Sequence, residues 1–189
     1  MDGDVARRPL ILLTSVWAVG LVLSGWQPYD RATWAMEVAP VFLALFLLWA
    51  MRNRFSPTTF VLALIGFHGL VLMLGGAYTY ARVPVGFAVQ DWLGLARNPY
   101  DRFGHFVQGA VPALAFREVL IRLAGVRRGG WLVFLVLACC LALSAAYELI
   151  EFGAAMALGQ GAEEFLGTQG DAWDTQWDMA LALCGAIVA

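Results

Sequence analysis

The strongest constraint on this chain is a succession of apolar runs, each near the length of a bilayer crossing. A spanning helix needs about 20 mostly apolar residues. Six segments approach that requirement: 9–26, 36–51, 59–80, 103–123, 131–158 and 173–189. Pro40 falls in the first turn or two of the second segment, where proline is tolerated. The expectation is one all-α membrane domain over 1–189, a polytopic transmembrane helix bundle of about six helices.

Composition agrees. The chain has 189 residues, 61% hydrophobic and 14% charged, with a mean hydropathy of +0.71. A soluble domain carries more polar surface than that. The net charge of -2 gives no reason to expect a nucleic-acid partner. Cys139, Cys140 and Cys184 all lie inside apolar runs without metal-ligand spacing, so they read as small buried hydrophobes. The N-terminus has a basic start at Arg7 and Arg8 and then turns apolar. No small-residue cleavage pattern follows near Trp26, so the first run reads as an uncleaved membrane helix.

The loops suggest an orientation. Arg7 and Arg8 precede the first segment, Arg52 and Arg54 follow the second, and Arg122, Arg127 and Arg128 follow the fourth. These alternate ends share one side, which the positive-inside rule makes the cytoplasm. With six spans, both termini are then cytoplasmic. The opposite side holds Asp30 and Arg31, the 82–102 connection and the acidic 159–171 connection. Phe87, Trp92 and Leu95 suit the lipid interface. Gly159, Gly161, Gly167 and Gly170 permit tight non-helical backbone there.

Against this apolar background, three polar stretches stand out. Asp101, His105 and Gln108 are spaced four and three apart, which places them on one helical face. Asp101 also suits a helix start. Glu148 and Glu151 are three apart, deep within the fifth segment. A carboxylate there costs several kcal/mol on insertion scales, so it turns toward a bundle interior, a cavity or a partner. Asp171, Asp174 and Asp178 share a face at the start of the sixth segment. An anionic helix start explains the first of these three, but not Asp178, which lies further in. Trp173 and Trp177 read as interfacial anchors.

The topology places all three faces at similar depth near the outer leaflet. The candidate catalytic or metal-holding residues are therefore His105, Glu148, Glu151, Asp174 and Asp178. Asp101, Arg102, Gln108, Arg117, Tyr147, Asp171 and Gln176 are supporting candidates. His68, between Gly66 and Gly69, reads as an interhelical hydrogen-bonding residue. An oxygen-rich set with one imidazole suits a divalent cation: Mg²⁺, Mn²⁺ or Ca²⁺, with Zn²⁺ also compatible. Such an ion can activate water toward a lipid phosphate or ester, and a paired acid and base can do so without metal. No Gly-x-Ser-x-Gly, His-Glu-x-x-His or phosphate-loop pattern accompanies the cluster.

The same stretches resemble the YjdF-like family of uncharacterised bacterial inner-membrane proteins. The resemblance lies in Asp101-Arg102-Phe103-Gly104-His105-Phe106, in Arg117-Glu118, in Tyr147-Glu148-Leu149-Ile150-Glu151, and in the run from Phe165 to Asp178. It covers roughly the second half of the chain and implies a membrane location without an activity. A fainter similarity links Asp101, His105, Phe106, Glu148 and Asp174 to VanZ-like membrane proteins, which are associated with glycopeptide-antibiotic tolerance. Glu151 and Asp178 stand where that pattern has a glutamine and an asparagine.

Three functions are open at this point. One is an outer-leaflet site for a divalent cation or lipid head group, with hydrolase or transferase activity on a lipid-linked substrate. The second is a cation- or proton-coupled transporter. The third is a structural or partner-binding role in which the polar cluster only joins helices. The inner parts of the fifth and sixth segments are apolar, which weighs against a through-path, and intramembrane arginines are too few to pair every acid.

Overall fold

The computed structural model describes residues 2–158 and 168–189. The expectations placed on Gly159, Gly161 and Gly167, and the Phe165–Gly167 part of the resemblance, lie outside the described residues. The described chain is all-helical, with seven helices: α1 Asp2–Gly25, α2 Arg31–Met51, α3 Thr59–Tyr78, α4 Pro84–Leu93, α5 Tyr100–Arg122, α6 Gly130–Leu158 and α7 Asp174–Val188. Among them, four are long and apolar enough to cross a membrane: Arg7–Gly25, Arg31–Met51, Thr59–Tyr78 and Gly130–Ala157.

The helices follow the hydropathy pattern with shifted ends. α1 extends back to Asp2 and α2 back to Arg31, because polar first turns are cheap outside an apolar run. Asp30 caps α2 from extended backbone, its side chain accepting from the Thr33 N–H at 2.7 Å. That bond to its ionised form holds the Asp30 carboxyl below the ordinary carboxylate range. Hydropathy also misses α4, which is ten residues long and too short for any spanning pattern. Pro84 starts it and Gly94, at φ 63°, ends it.

Two compact units divide the chain, 1–77 and 78–189. In the first, α1, α2 and α3 pack around Leu10, Leu13, Trp17, Val38, Val41, Leu62 and Met73. Tryptophan N–H groups tie the helices together by giving their one polar atom a partner. Trp17 donates to the Gly66 carbonyl at 2.9 Å, Trp34 to the Ser24 hydroxyl at 3.1 Å and Trp49 to the Thr14 hydroxyl at 3.0 Å. Gly69 lies against the Trp17 indole so closely that a Cβ would collide with the ring.

In the second unit, α5 packs against both α6 and α7, and α6 also packs against α7. Their contacts fix the directions. His105 faces Asp178, and Gly109 faces Ala182, so α5 and α7 run the same way. His105 faces Glu148, and Gly109 faces Cys140, so α6 runs opposite to α5. The α5–α7 crossing is made by glycine. A Cβ on Gly109 would meet the Ala182 backbone, and one on Gly185 would meet the Phe106 carbonyl. Small residues permit this close approach, a common device where lipid supplies no hydrophobic drive between helices. Beyond the crossing, Ala113, Leu132, Val136, Cys140 and Ala186 form an apolar cluster.

α5 and α7 depart from the expected spans for different reasons. α5 has sufficient length but carries Asp101, Arg102, Arg117, Glu118 and Arg122, and α7 has fifteen residues. Of these residues, Asp101 and Arg102 belong to the site.

Candidate functional site

The site starts just before α5. Asn98 is 1% exposed and acts as a hub. Its carboxamide accepts from the Tyr100 N–H at 3.0 Å and donates to the Val83 carbonyl at 3.1 Å. Its backbone N–H donates to the Gln169 side-chain oxygen, and its carbonyl accepts from the Gln169 side-chain nitrogen, both at 3.0 Å. This reciprocal pair holds residues 168–171 against the start of α5. Gln169 takes φ 46°, a left-handed conformation that costs a residue with a Cβ and is held here by its two bonds to Asn98.

Arg97 adds charge to the same junction. It donates to the Thr168 carbonyl at 3.2 Å and to Asp174, and it stands 3.4 Å from Asp101 and 3.8 Å from Asp171. Arg102 pairs with Asp171 at 2.8 Å, and its guanidinium lies 5.7 Å from the Trp177 ring centroid. Asp171 also accepts from the Trp173 N–H at 2.9 Å, which shapes the turn into α7. Two arginines thus brace the outer rim of the cluster.

Below the rim lies a second layer. Asp101 Oδ1 stands 3.6 Å from His105 Nε2, and Asp178 Oδ2 stands 3.9 Å from the same nitrogen. On the other side of the ring, His105 Nδ1 stands 3.9 Å from Glu148 Oε1. Asp101, His105 and Asp178 each offer one ligand atom, and these atoms all lie within 4.8 Å of one another. Thr175 and Glu151 also reach the Glu148 carboxyl. None of the six residues Asp101, His105, Glu148, Glu151, Asp174 and Asp178 is more than 8% exposed.

Charge and hydrogen bonding both leave the inner layer unbalanced. Among the described residues the site assembles six carboxyls, Asp101, Glu148, Glu151, Asp171, Asp174 and Asp178, against the guanidiniums of Arg97 and Arg102. Buried charge is costly unless paired. Asp178 Oδ1, Glu148 Oε1, Asp174 Oδ2 and His105 Nδ1 are buried without a hydrogen-bond partner among the described residues. Buried polar atoms ordinarily have partners, so four such atoms in one cluster mark it off from ordinary buried polar contacts.

The candidates from sequence sort cleanly by position. His105, Glu148, Glu151, Asp174, Asp178 and Asp101 come together, with Arg102 and Asp171 on the rim. Gln108 is half-buried one turn along α5, and Tyr147 is half-buried beside Glu148. Gln176 and Arg117 are exposed and stand outside the cluster. His68 lies on α3, in the N-terminal unit. Arg97, Asn98, Ser144, Gln169 and Thr175 belong to the site or its frame and escaped the sequence reading. Arg97 had a signal, since it precedes Asp101 by one helical turn. Asn98 had another, as an asparagine before proline at a helix start.

An all-helical chain with four apolar spans and a buried acid–histidine cluster is an integral membrane protein of the multi-pass kind. The chain belongs to the DUF2238 family, described as "Predicted membrane protein", whose model matches residues 9–189. It is 55% identical over 182 residues to the inner membrane protein YjdF of Escherichia coli (strain K12), a match that covers 95% of this chain and 87% of that protein. These relationships make it a YjdF-like multi-pass protein of the bacterial inner membrane. No solved structure matches the chain.

Proposed function

We propose that the α5–α6–α7 cluster is a divalent-cation site at the outer leaflet, acting on the head group of a lipid-linked substrate as a hydrolase or transferase. Asp101, His105 and Asp178 are the ligands. Glu148, Glu151 and Asp174 surround them as outer carboxyls and as acid or base. The observation that carries this reading is the convergence of three buried ligand atoms within 4.8 Å, next to carboxylate oxygens that lack partners. One imidazole and two carboxylates suit Mn²⁺, Mg²⁺, Ca²⁺ or Zn²⁺. The cation would balance part of the carboxyl surplus and would lower the pKa of a bound water, making a nucleophile at neutral pH.

The outer-leaflet placement rests on the positive-inside reading of Arg52, Arg54, Arg127 and Arg128, with the N-terminus on the cytoplasmic side. The transporter reading has less support, because α5 and α7 touch backbone to backbone just below the cluster and apolar side chains follow. Among the described residues six carboxyls gather near two guanidiniums, which weighs against a purely structural cluster.

The test is direct. Detergent-purified protein is stripped with chelator and titrated calorimetrically with Mn²⁺, Mg²⁺, Ca²⁺ and Zn²⁺. At least one ion binds the parent protein with 1:1 stoichiometry, and Asp178→Asn and Asp101→Asn weaken it at least tenfold while keeping the parent gel-filtration profile. Absence of binding by every ion, or equal binding by both variants, overturns the assignment.

A further inference from the structure

α4 carries no candidate ligand, yet it is fixed to the frame of the site. Gly86 is buried, and a Cβ there would collide with the Asn98 carboxamide. That carboxamide donates to the carbonyl of Val83, the residue before the helix, and Val83 is itself fully buried. The first turn of α4 therefore lies against the hub that also holds Gln169 and the start of α5. The other side of the helix is bare. Val85, Ala88 and Trp92 are spaced three and four apart, which lines them up as one stripe. Trp92 is 81% exposed and Val85 53%, and Ala88 is exposed between them. Asp91 is the only charged residue between Arg82 and Arg97. An apolar stripe that ends on a tryptophan suits a lipid interface.

The height of α4 in the unit agrees with that partner. Its ten residues extend about 15 Å, half the thickness of a hydrocarbon core, so it does not cross. Asn98 lies seven residues before His105. On the antiparallel α6, seven residues beyond Glu148, which faces His105, comes Ala155. The apolar span of α6 ends at Ala157. Asn98, the anchor of α4, is therefore about level with the point where α6 leaves the apolar layer. Trp173 and Trp177, exposed at the start of α7, belong to the same end of the unit, and tryptophans of this kind mark a membrane boundary. A second copy of the chain fits the stripe poorly. The face measures on the order of 150 Å², whereas a stable pair buries about 800 Å² on each side.

We propose that α4 is an in-plane membrane helix whose partner is the phospholipid interface. Val85, Ala88 and Trp92 enter the zone between head groups and acyl chains. The Gly86–Asn98 contact ties the start of α5 to that seat, which keeps the arginine rim of the cluster at head-group height. The proposal rests on the membrane location and on the docking of α4, and it holds whether or not the cluster takes a cation.

The test uses the full chain with Cys139→Ala, Cys140→Ala and Cys184→Ala, and with Ala88→Cys, Asp91→Cys or Trp92→Cys added singly. Each protein is labelled with a nitroxide and reconstituted in vesicles of phosphatidylethanolamine and phosphatidylglycerol. Labels at 88 and 92 are relaxed more by oxygen, which concentrates in lipid, than by a water-soluble nickel chelate, and the label at 91 lies shallower. Relaxation at 88 and 92 mainly by nickel places the stripe in water and overturns the proposal. Protection from both reagents places it against protein and also overturns it, with spin–spin broadening identifying a second copy. If the cysteine-free background does not fold, a benzophenone side chain in place of Trp92 in the otherwise native chain decides. Crosslinks to phospholipid support the proposal, and crosslinks to protein alone, or none, overturn it. The tie to α5 has its own readout. Ala88→Glu, which lifts the stripe out of lipid, speeds hydrogen exchange at 97–102 and 168–171 and leaves the α5–α7 crossing at parent rates. Parent rates throughout overturn the tie.

Discussion

Arg97 reaches from the approach to α5 to Asp174, the first residue of α7, across 77 positions of sequence. Its other contacts, to Asp101, Asp171 and the Thr168 carbonyl, all serve the same junction. Arg97 therefore sets where α7 begins relative to α5. Removing one partner of a buried pair leaves the other charge uncompensated, at about 3–5 kcal/mol. Arg97→Ala should lower the unfolding midpoint in detergent, and Asp174→Asn in that background should recover part of the loss. Arg97→Lys should recover less, since an ammonium does not reproduce the fork that spans a carbonyl and several carboxylates. Parent-like stability of all three variants would remove this role.

Gly109 and Gly185 make a separate prediction. A methyl group at Gly109 runs into the Ala182 backbone, and one at Gly185 into the Phe106 carbonyl. No side-chain rotation relieves either clash, because the obstacle is main chain. Overpacking of this kind costs about 1–3 kcal/mol. Gly109→Ala and Gly185→Ala should each lower thermal stability in detergent. They should also weaken cation binding, since Asp178 rides on the displaced helix. Gly130→Ala, where a Cβ meets nothing, is the control and should behave as the parent.

Asp30 links stability to pH in the loop between the first two helices. Its carboxylate caps α2 through Thr33, and its pKa is lowered by that bond. A depressed folded-state pKa contributes stability above the unfolded value and loses it as pH falls through the folded value. The cap should therefore be at full strength at neutral pH and weaken only in acid, below the ordinary aspartate value of about 3.9. Asp30→Ala should cost about 1 kcal/mol at pH 7. The difference from the parent should shrink in strong acid, where the protonated carboxyl keeps only a neutral oxygen as acceptor. Asp30→Asn should retain most of the stability at both pH values, because its oxygen still accepts from Thr33.

The Asn98–Gln169 pair predicts a local effect. Gln169→Ala removes both bonds that hold residue 169 in its left-handed conformation. Hydrogen exchange should rise in the turn at 168–171 and at the start of α5, while α1–α3 keep parent rates. Gln169→Gly relieves the backbone strain without the bonds, so it should show the same faster exchange with a smaller loss of stability.

Much of this was legible from residue order. The apolar runs located α1, α2, α3 and α6 because lipid demands length and hydropathy together. The polar faces of α5 and α7 were legible because spacings of three and four leave Asp101 and His105, or Asp174 and Asp178, on one side of a helix. Arg117 was misleading for a physical reason. A cation next to Glu118 in an apolar segment resembles a buried partner, yet its helix position turns it outward. Arg97 and Asn98 were hidden because their partners, Asp174 and Gln169, are more than seventy residues away, and periodicity says nothing about contacts at that distance. Ser144 was hidden because a lone serine in an apolar helix has many ordinary roles. Only its burial and its orphan hydroxyl distinguish it.

The glycine crossing of α5 and α7 also bears on selectivity. With main chain against main chain one turn from Asp178, the two helices have no compressible side-chain layer between them. The separation of the two backbones that carry Asp101, His105 and Asp178 is then set by main-chain contact. On the proposed cation reading, a cradle framed in this way would discriminate by ionic radius, since metal–oxygen distances are about 2.0–2.1 Å for Mg²⁺ and about 2.3–2.6 Å for Ca²⁺. Replacing glycine by a larger residue at this crossing would therefore change which ion the proposed site takes, as well as weaken it.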